Sequence, residues 1–305
     1  MRLSGSFAVS GAVAGLLTTG LVAAGLAVAP ASAAGAAVRP GTARVTAASA
    51  PPGVRAPYAE LENAATGADM WSRTSNKEVP MGSIAKVMTA YVVIKAGDLS
   101  RVITVPSGIT GYDKKYGAST AGLKPGEKLT AHELLYALLV PSGCDAAYAL
   151  AESYGSGHLS RFIDAMNAAA KSLGLTKTHF TDFSGLPDPT ASSTYSDARD
   201  LISLGRDAMG LPVFAAIVKL AGYHLAAAPG KHPAFTWTNT NPLLGHYTGA
   251  IGIKTGQTNA AGACLLFEAR RGKLTLIGVV LDSGDELSYA ASDAEKILNW
   301  DFGRA

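Results

Sequence analysis

Hydrophobic and polar positions along this chain change period several times. Phe7 to Val28 is a run of 22 residues without a charge, rich in Gly, Ala, Ser and Thr. Low-complexity sequence with Pro40, Pro51 and Pro52 follows as far as Ala56. Tyr58–Asn63 and Asp69–Ser72 then predict two short strands around the turn residues Ala65-Thr66-Gly67. Helical spacing takes over next. It predicts helices from about Ser83 to Lys95 and from the capping box Thr130-Ala131-His132-Glu133 to near Val140. Further helices are expected over Cys144–Tyr154, His158–Leu173 and Ser196–Met209, with a weaker one over Pro212–Leu220. Apolar, β-rich runs return at Gly249–Lys254, Ala263–Ala269 and Lys273–Leu281 and read as a meander, before a last helix at about Leu287–Asp301.

Early strands, a helical middle, late strands and a closing helix predict an α+β fold, its sheet assembled from both chain ends. An α/β lobe is expected from about 57–90 and 225–305, with a helical lobe from about 91–224. A crevice between lobes is where ligands tend to bind.

The first regime reads as an export signal. Arg2, the apolar run and the A-x-A pattern at Ala31-Ser32-Ala33 predict a signal peptide over residues 1–33, cleaved after Ala33. An uncleaved anchor is the rival, because 22 residues at about 1.5 Å each span roughly 30 Å of hydrocarbon. The small-residue composition suits an export signal better. With no cysteine before Cys144 a lipoprotein anchor is excluded, and a single arginine argues against the twin-arginine route. An extracellular or wall-associated location is therefore expected. Residues 34–56 read as a disordered linker and 57–305 as one catalytic domain, with no further domain or amphipathic tail after Ala305.

Composition narrows the function classes. Of 305 residues, 48% are hydrophobic and 16% are charged, against about 25% charged in an average soluble protein. A net charge of +3, with no basic run, argues against a nucleic-acid partner. The two cysteines, Cys144 and Cys264, lie in apolar segments and are expected to remain free thiols. None of the six histidines shows metal-ligand spacing, and no phosphate-binding glycine loop is present. No metal and no cofactor are expected.

The informative residues are polar ones on apolar elements. Between Ile84 and Ile94 nearly every side chain is apolar, which implies a helix buried on most sides. Ser83, Lys86 and Thr89 are the exceptions. A serine at the helix start and a lysine three residues on share one face, and burial lowers an amine's pKa toward values useful in a general base. An N-cap serine and a snorkelling lysine would account for the same residues. Ser142-Gly143-Cys144 falls in a loop between predicted helices, and Lys254-Thr255-Gly256 ends a predicted strand.

Taken together and in this order, S-x-x-K, a serine motif with cysteine in its third place and K-T-G resemble the signature of penicillin-binding proteins and serine β-lactamases. The stretches P-S-G-C-D-A-A-Y-A-L-A, L-G-L-T-K-T-H-F, Y-S-D-A-R-D-L and G-A-I-G-I-K-T-G extend the likeness across roughly Tyr58 to Gly303. The chain resembles the serine D-alanyl-D-alanine carboxypeptidase family, the low-molecular-mass penicillin-binding proteins, and within it the exported single-domain DD-transpeptidases. That resemblance implies a DD-peptidase/β-lactamase-like α+β fold, an antiparallel sheet flanked by helices with an inserted all-helical lobe.

It also implies that Ser83 is the nucleophile, Lys86 its proton acceptor and Ser142 a proton relay. Cys144, Lys254, Thr255, Gly256 and Gln257 would bind substrate, with Lys254 and Thr255 on its terminal carboxylate and the N–H groups of Ser83 and Gln257 on the oxyanion. The implied partners are peptidoglycan peptides ending in D-Ala-D-Ala, with β-lactams as inhibitors; a monomer is expected. Cys144 departs from the family's usual asparagine, which implies reduced handling of the substrate's peptide carbonyl and sensitivity to thiol reagents. β-Lactamase and silent wall-binding readings compete. The only glutamate between Cys144 and Lys254 is Glu152, and no E-x-x-L-N occurs, so a long-lived penicilloyl adduct is expected.

Overall fold

Strands from the two ends of the chain meet in one sheet, and the helices between them cover its inner face. The computed structural model describes residues 50–304; the expected export signal and residues 34–49 of the expected linker lie outside the described residues.

In chain order, β1 (Tyr58–Asn63), β2 (Asp69–Arg73) and β3 (Val79–Pro80) lead into a 3-10 turn at Gly82–Ala85 and helix α1 (Lys86–Ala96). Next come β4 (Val102–Thr104), α2 (Gly108–Tyr116), β5 (Lys128–Thr130), α3 (Ala131–Leu139), α4 (Cys144–Tyr154) and α5 (Leu159–Ser172). The chain continues through β6 (Tyr195–Ser196), α6 (Ala198–Met209), α7 (Pro212–Val218), β7 (Gly222–Leu225) and β8 (Phe235–Thr238). The meander of β9 (Ala250–Thr258), β10 (Gly262–Arg271) and β11 (Leu274–Leu281) is closed by α8 (Leu287–Phe302). The sheet order is β2-β1-β11-β10-β9, with every adjacent pair antiparallel. This is the expected α+β arrangement.

Period-two alternation sorts the sheet's side chains. Leu61, Leu265, Phe267 and Val280 pack with Ala290, Ala294, Ile297 and Leu298 of α8. Leu266, Ile277, Val279 and Leu281 join the larger core of the helical layer. Full burial of each such aliphatic side chain contributes about 2 kcal/mol. α1 touches α3, α4, α5, α6 and α7, which is why it is apolar on nearly every side. The capping box forms as expected: Thr130 Oγ1 accepts from Glu133 N–H at 3.2 Å, and Glu133 Oε2 accepts from Thr130 N–H at 2.7 Å.

Three features depart from the sequence reading. The predicted first helix begins at Lys86, and Ser83 lies in the 3-10 turn before it. α2 carries no periodic signal, since only Ile109 is buried; it is held by Tyr112, stacked on Phe183 at 5.2 Å. The last residues of the expected linker belong to the folded unit. Asp293, fully buried on α8, accepts N–H bonds from Arg55 at 3.0 Å and Ala56 at 2.8 Å, while Lys296 holds the carbonyl of Gly53 at 2.7 Å. Sequence of low complexity shows no trace of partners more than 200 residues away.

Glu268 is a buried acid on β10 with no ion-pair partner among the described residues, and desolvation lifts its pKa from 4.5 to about 7. Because the folded value lies above the unfolded one, its ionisation weakens the fold as pH rises from about 4.5 to 7, and the loss is complete above that window. Glu268→Gln is therefore expected to gain up to about 3 kcal/mol relative to the parent at pH 8 and almost nothing at pH 4. Urea unfolding of both proteins at the two pH values checks this.

Candidate active site

The 3-10 turn exists because the chain must pass very close to β9. Gly82 has φ +54°, and a Cβ there would lie 2.7 Å from the backbone nitrogen of Gln257. Across the same gap, a Cβ on Gly256 would collide with the carbonyl oxygen of Met81. These two glycines let the turn carrying Ser83 lie directly against the strand carrying Lys254-Thr255-Gly256-Gln257.

Lys86, in the first turn of α1, is fully buried. Its Nζ lies 2.8 Å from Ser83 Oγ, 3.2 Å from Cys144 Sγ and 3.3 Å from the carbonyl oxygen of Ser184. Three partners from three separate segments use the three hydrogen-bonding directions of the amine. At 2.8 Å, Lys86 is within proton-transfer distance of the Ser83 hydroxyl.

Ser142 follows α3 in the left-handed region at φ +64°, uncommon for a residue with a Cβ and costing about 1–3 kcal/mol. Its carbonyl accepts from Ser119 Oγ at 2.8 Å. Asp145, buried one residue after Cys144, accepts N–H bonds from Ala121 at 2.9 Å and Leu123 at 3.0 Å, which fastens the loop bearing Ser119 to α4. Burial raises the Asp145 pKa, and these N–H bonds oppose the rise.

Lys254 is 1% exposed and has no carboxylate partner among the described residues; its Nζ reaches only the carbonyl and hydroxyl of Thr255, at 3.2 and 3.3 Å. Burial, and after it repulsion from Lys86, holds Lys254 well below the usual lysine range. A bound anion would relieve both penalties. Thr240 shares a 2.6 Å hydroxyl contact with Thr255.

These elements enclose a cavity of about 830 Å³. Ser83, Ser142, Thr255 and Gln257 line it directly, with Ser119, Thr240 and Asp285. Lys86 and Lys254 lie buried beneath this lining, and Gly256 supplies close backbone approach. Cys144, expected to bind substrate, also lies beneath this lining. It is fully buried and absent from the cavity wall, with its sulfur turned to Lys86 and 3.8 Å from Ser119 Oγ. The reason is that Cys144 opens α4, whose first turn points into the core. Sequence reasoning missed Ser119, Thr240 and the Ser184 carbonyl. Ser119 and Thr240 lie outside regular elements, and a carbonyl contact leaves no mark on residue identity.

Comparison with known proteins agrees with this geometry. The sequence profile of the D-alanyl-D-alanine carboxypeptidase family matches residues 44–285. A D-alanyl-D-alanine carboxypeptidase of Streptomyces sp. is 39% identical over 250 residues, covering 79% of this chain and 84% of the relative. One from Mycobacterium tuberculosis is 35% identical over 242 residues, covering 78% and 79% of the two chains. One from Bacillus subtilis is 32% identical over 78% of this chain, which spans 60% of that relative's length. The crystal structure of a Streptomyces DD-transpeptidase superposes with a TM-score of 0.78 at 38% identity, over 83% of this chain and 98% of the other. With a fold, a profile and relatives in agreement over most of its length, the chain belongs to the D-alanyl-D-alanine carboxypeptidase family.

Proposed function

We propose that this protein is an exported, penicillin-binding serine D-alanyl-D-alanine carboxypeptidase and transpeptidase that acts on peptidoglycan stem peptides through an acyl-enzyme on Ser83. The observation that carries the reading is the 2.8 Å contact between Ser83 Oγ and a fully buried Lys86, opening on a cavity with Thr255 at its wall and Lys254 buried beneath it. Support for export comes from the apolar run Phe7–Val28 and the A-x-A site before Ala34.

In this mechanism the substrate's terminal carboxylate binds Thr255 through its hydroxyl and Lys254 as a point charge. Ser83 Oγ attacks the carbonyl carbon of the penultimate D-alanine while Lys86 takes the hydroxyl proton. Backbone N–H groups of Ser83 and Gln257 receive the developing oxyanion; their closeness is supported by the Gly82–Gln257 approach. The tetrahedral intermediate collapses, the C–N bond breaks, and the proton passes by way of Ser142 to the departing amine of D-alanine. Water or an amine then attacks the ester, giving hydrolysis or transpeptidation. Among cavity-lining residues the only carboxylate is Asp285, so no acid beside Ser83 is placed to activate water against a penicilloyl ester.

Ser83→Ala is expected to abolish labelling by a fluorescent penicillin and release of D-alanine from a D-Ala-D-Ala peptide; labelling that survives would overturn the assignment. The parent's penicilloyl adduct should persist in intact-mass measurements, whereas quick return of free enzyme would point to a β-lactamase. Lys254→Met should lower the acylation kcat/KM about 100-fold, the scale of losing one member of a buried charge pair. Since Lys254 binds the carboxylate only while protonated, kcat/KM for a peptide with a free terminal carboxylate should fall as pH rises, with a midpoint below the ordinary lysine value of 10.5. The terminal amide of the same peptide should not show that limb. Supplying an amine acceptor and measuring released D-alanine together with the adduct gives the partition between hydrolysis and transfer.

A further inference from the structure

Cys144 and Lys86 form a contact that the acyl-transfer steps above do not use. Sγ and Nζ are 3.2 Å apart, both residues are fully buried, and each is held on its other side. Lys86 is fixed by Ser83 and Ser184, and Cys144 by its place in the first turn of α4. We propose that this pair is an oxidative modification site, at which a peroxide drives formation of a covalent bond between Cys144 Sγ and Lys86 Nζ.

The chemistry balances in two steps. The thiol sulfur is oxidised by a peroxide to a sulfenic acid, and the peroxide's second oxygen leaves as water or an alcohol. The Lys86 nitrogen then attacks sulfur with its lone pair. The S–O bond breaks, and hydroxide leaves as water with one Nζ proton, giving a sulfenamide. Two equivalents of a thiol reverse the change, restoring thiol and amine and forming one disulfide.

Three observations favour this outcome over the usual fates of an oxidised cysteine. A sulfenic acid normally condenses with a second thiol, but the whole chain holds only two cysteines and both are free. Cys264 Sγ is engaged with the carbonyl of Ala261 at 3.3 Å, and burial pushes its thiol up to about 12, which leaves it inert. The amine at 3.2 Å is thus the nucleophile in place. Access for a small oxidant runs through the cavity, where Ser83 and Ser119 line the wall while their hydroxyls lie 2.8 Å from Nζ and 3.8 Å from Sγ. Larger thiol reagents meet a sulfur absent from the cavity lining.

The test is peptide mapping of the full chain after treatment with hydrogen peroxide. The expected product is a linked pair of peptides, one containing Cys144 and the other Lys86, lighter by two hydrogen atoms than the two peptides together. Dithiothreitol should separate them. Cys264→Ser should retain the linked species and Cys144→Ser should lose it, but the parent protein alone is sufficient if a variant misfolds. Penicillin labelling of Ser83 should fall in proportion to the linked fraction and return with the reductant. Cys144 that gains oxygen atoms without a link, or that stays unmodified, overturns the proposal. A protein that never labels with penicillin but still forms the link refutes the assigned activity and leaves the modification site standing.

Discussion

Burial of the Lys86 amine is the constraint on which the other parts of the structure depend. A cation taken out of water without partners costs several kcal/mol, so the fold must bring polar atoms to it or keep it neutral. Its three partners come from a 3-10 turn, the start of α4 and a loop ahead of β6, the last of them 98 residues from Lys86 itself. Meeting all three at once draws the helical layer onto the sheet edge. The apolar remainder of α1, packed by five other helices, makes that burial possible. The glycines at 82 and 256 remove the side chains that would otherwise hold the turn away from β9.

A second buried lysine turns this constraint into a site. Lys254 lies close enough to Lys86 for repulsion to lower its proton affinity, and it lacks a carboxylate among the described residues. A buried Lys254 charge is unfavourable until an anion binds, which suits the site to a carboxylate-bearing ligand. Buried acids nearby are already committed. Asp145 holds the Ala121–Leu123 loop, and Asp182 accepts the hydroxyl of Tyr112 at 2.6 Å and the N–H of Ser184 at 2.7 Å. They brace the segments that carry Ser119 and the Ser184 carbonyl. The cavity wall therefore rests on a frame of buried carboxylates that do not themselves line it.

Much of the fold was legible because periodicity reports burial directly. The Thr130–Glu133 box, the β9–β11 meander and the closing helix all appear close to where their patterns lie. α2 was not legible, since its stability comes from Tyr112 against Phe183 and Tyr148, contacts made across long sequence separations. Nor was the docking of residues 53–56, which depends on Asp293 and Lys296 far along the chain. Cys144 was expected to bind substrate, but the contact of its sulfur with Lys86 was not legible; the direction of a side chain in the first turn of a helix follows from how that helix packs.

The sequence by itself determined the residue types of the site, their order, and the α+β class. Ser83 and Lys86 stand out as polar residues within an apolar period, whereas Ser142, Lys254 and Thr255 are marked by the resemblance of their motifs to a known family. Tertiary structure alone decided which of these atoms touch and which face the cavity. It set the 2.8 Å serine–lysine distance, turned the cysteine sulfur toward the amine, and left Lys254 with no carboxylate partner among the described residues. Those outcomes depend on close packing between segments distant in the chain, and pairwise distances of that kind have no periodic signature in a linear sequence.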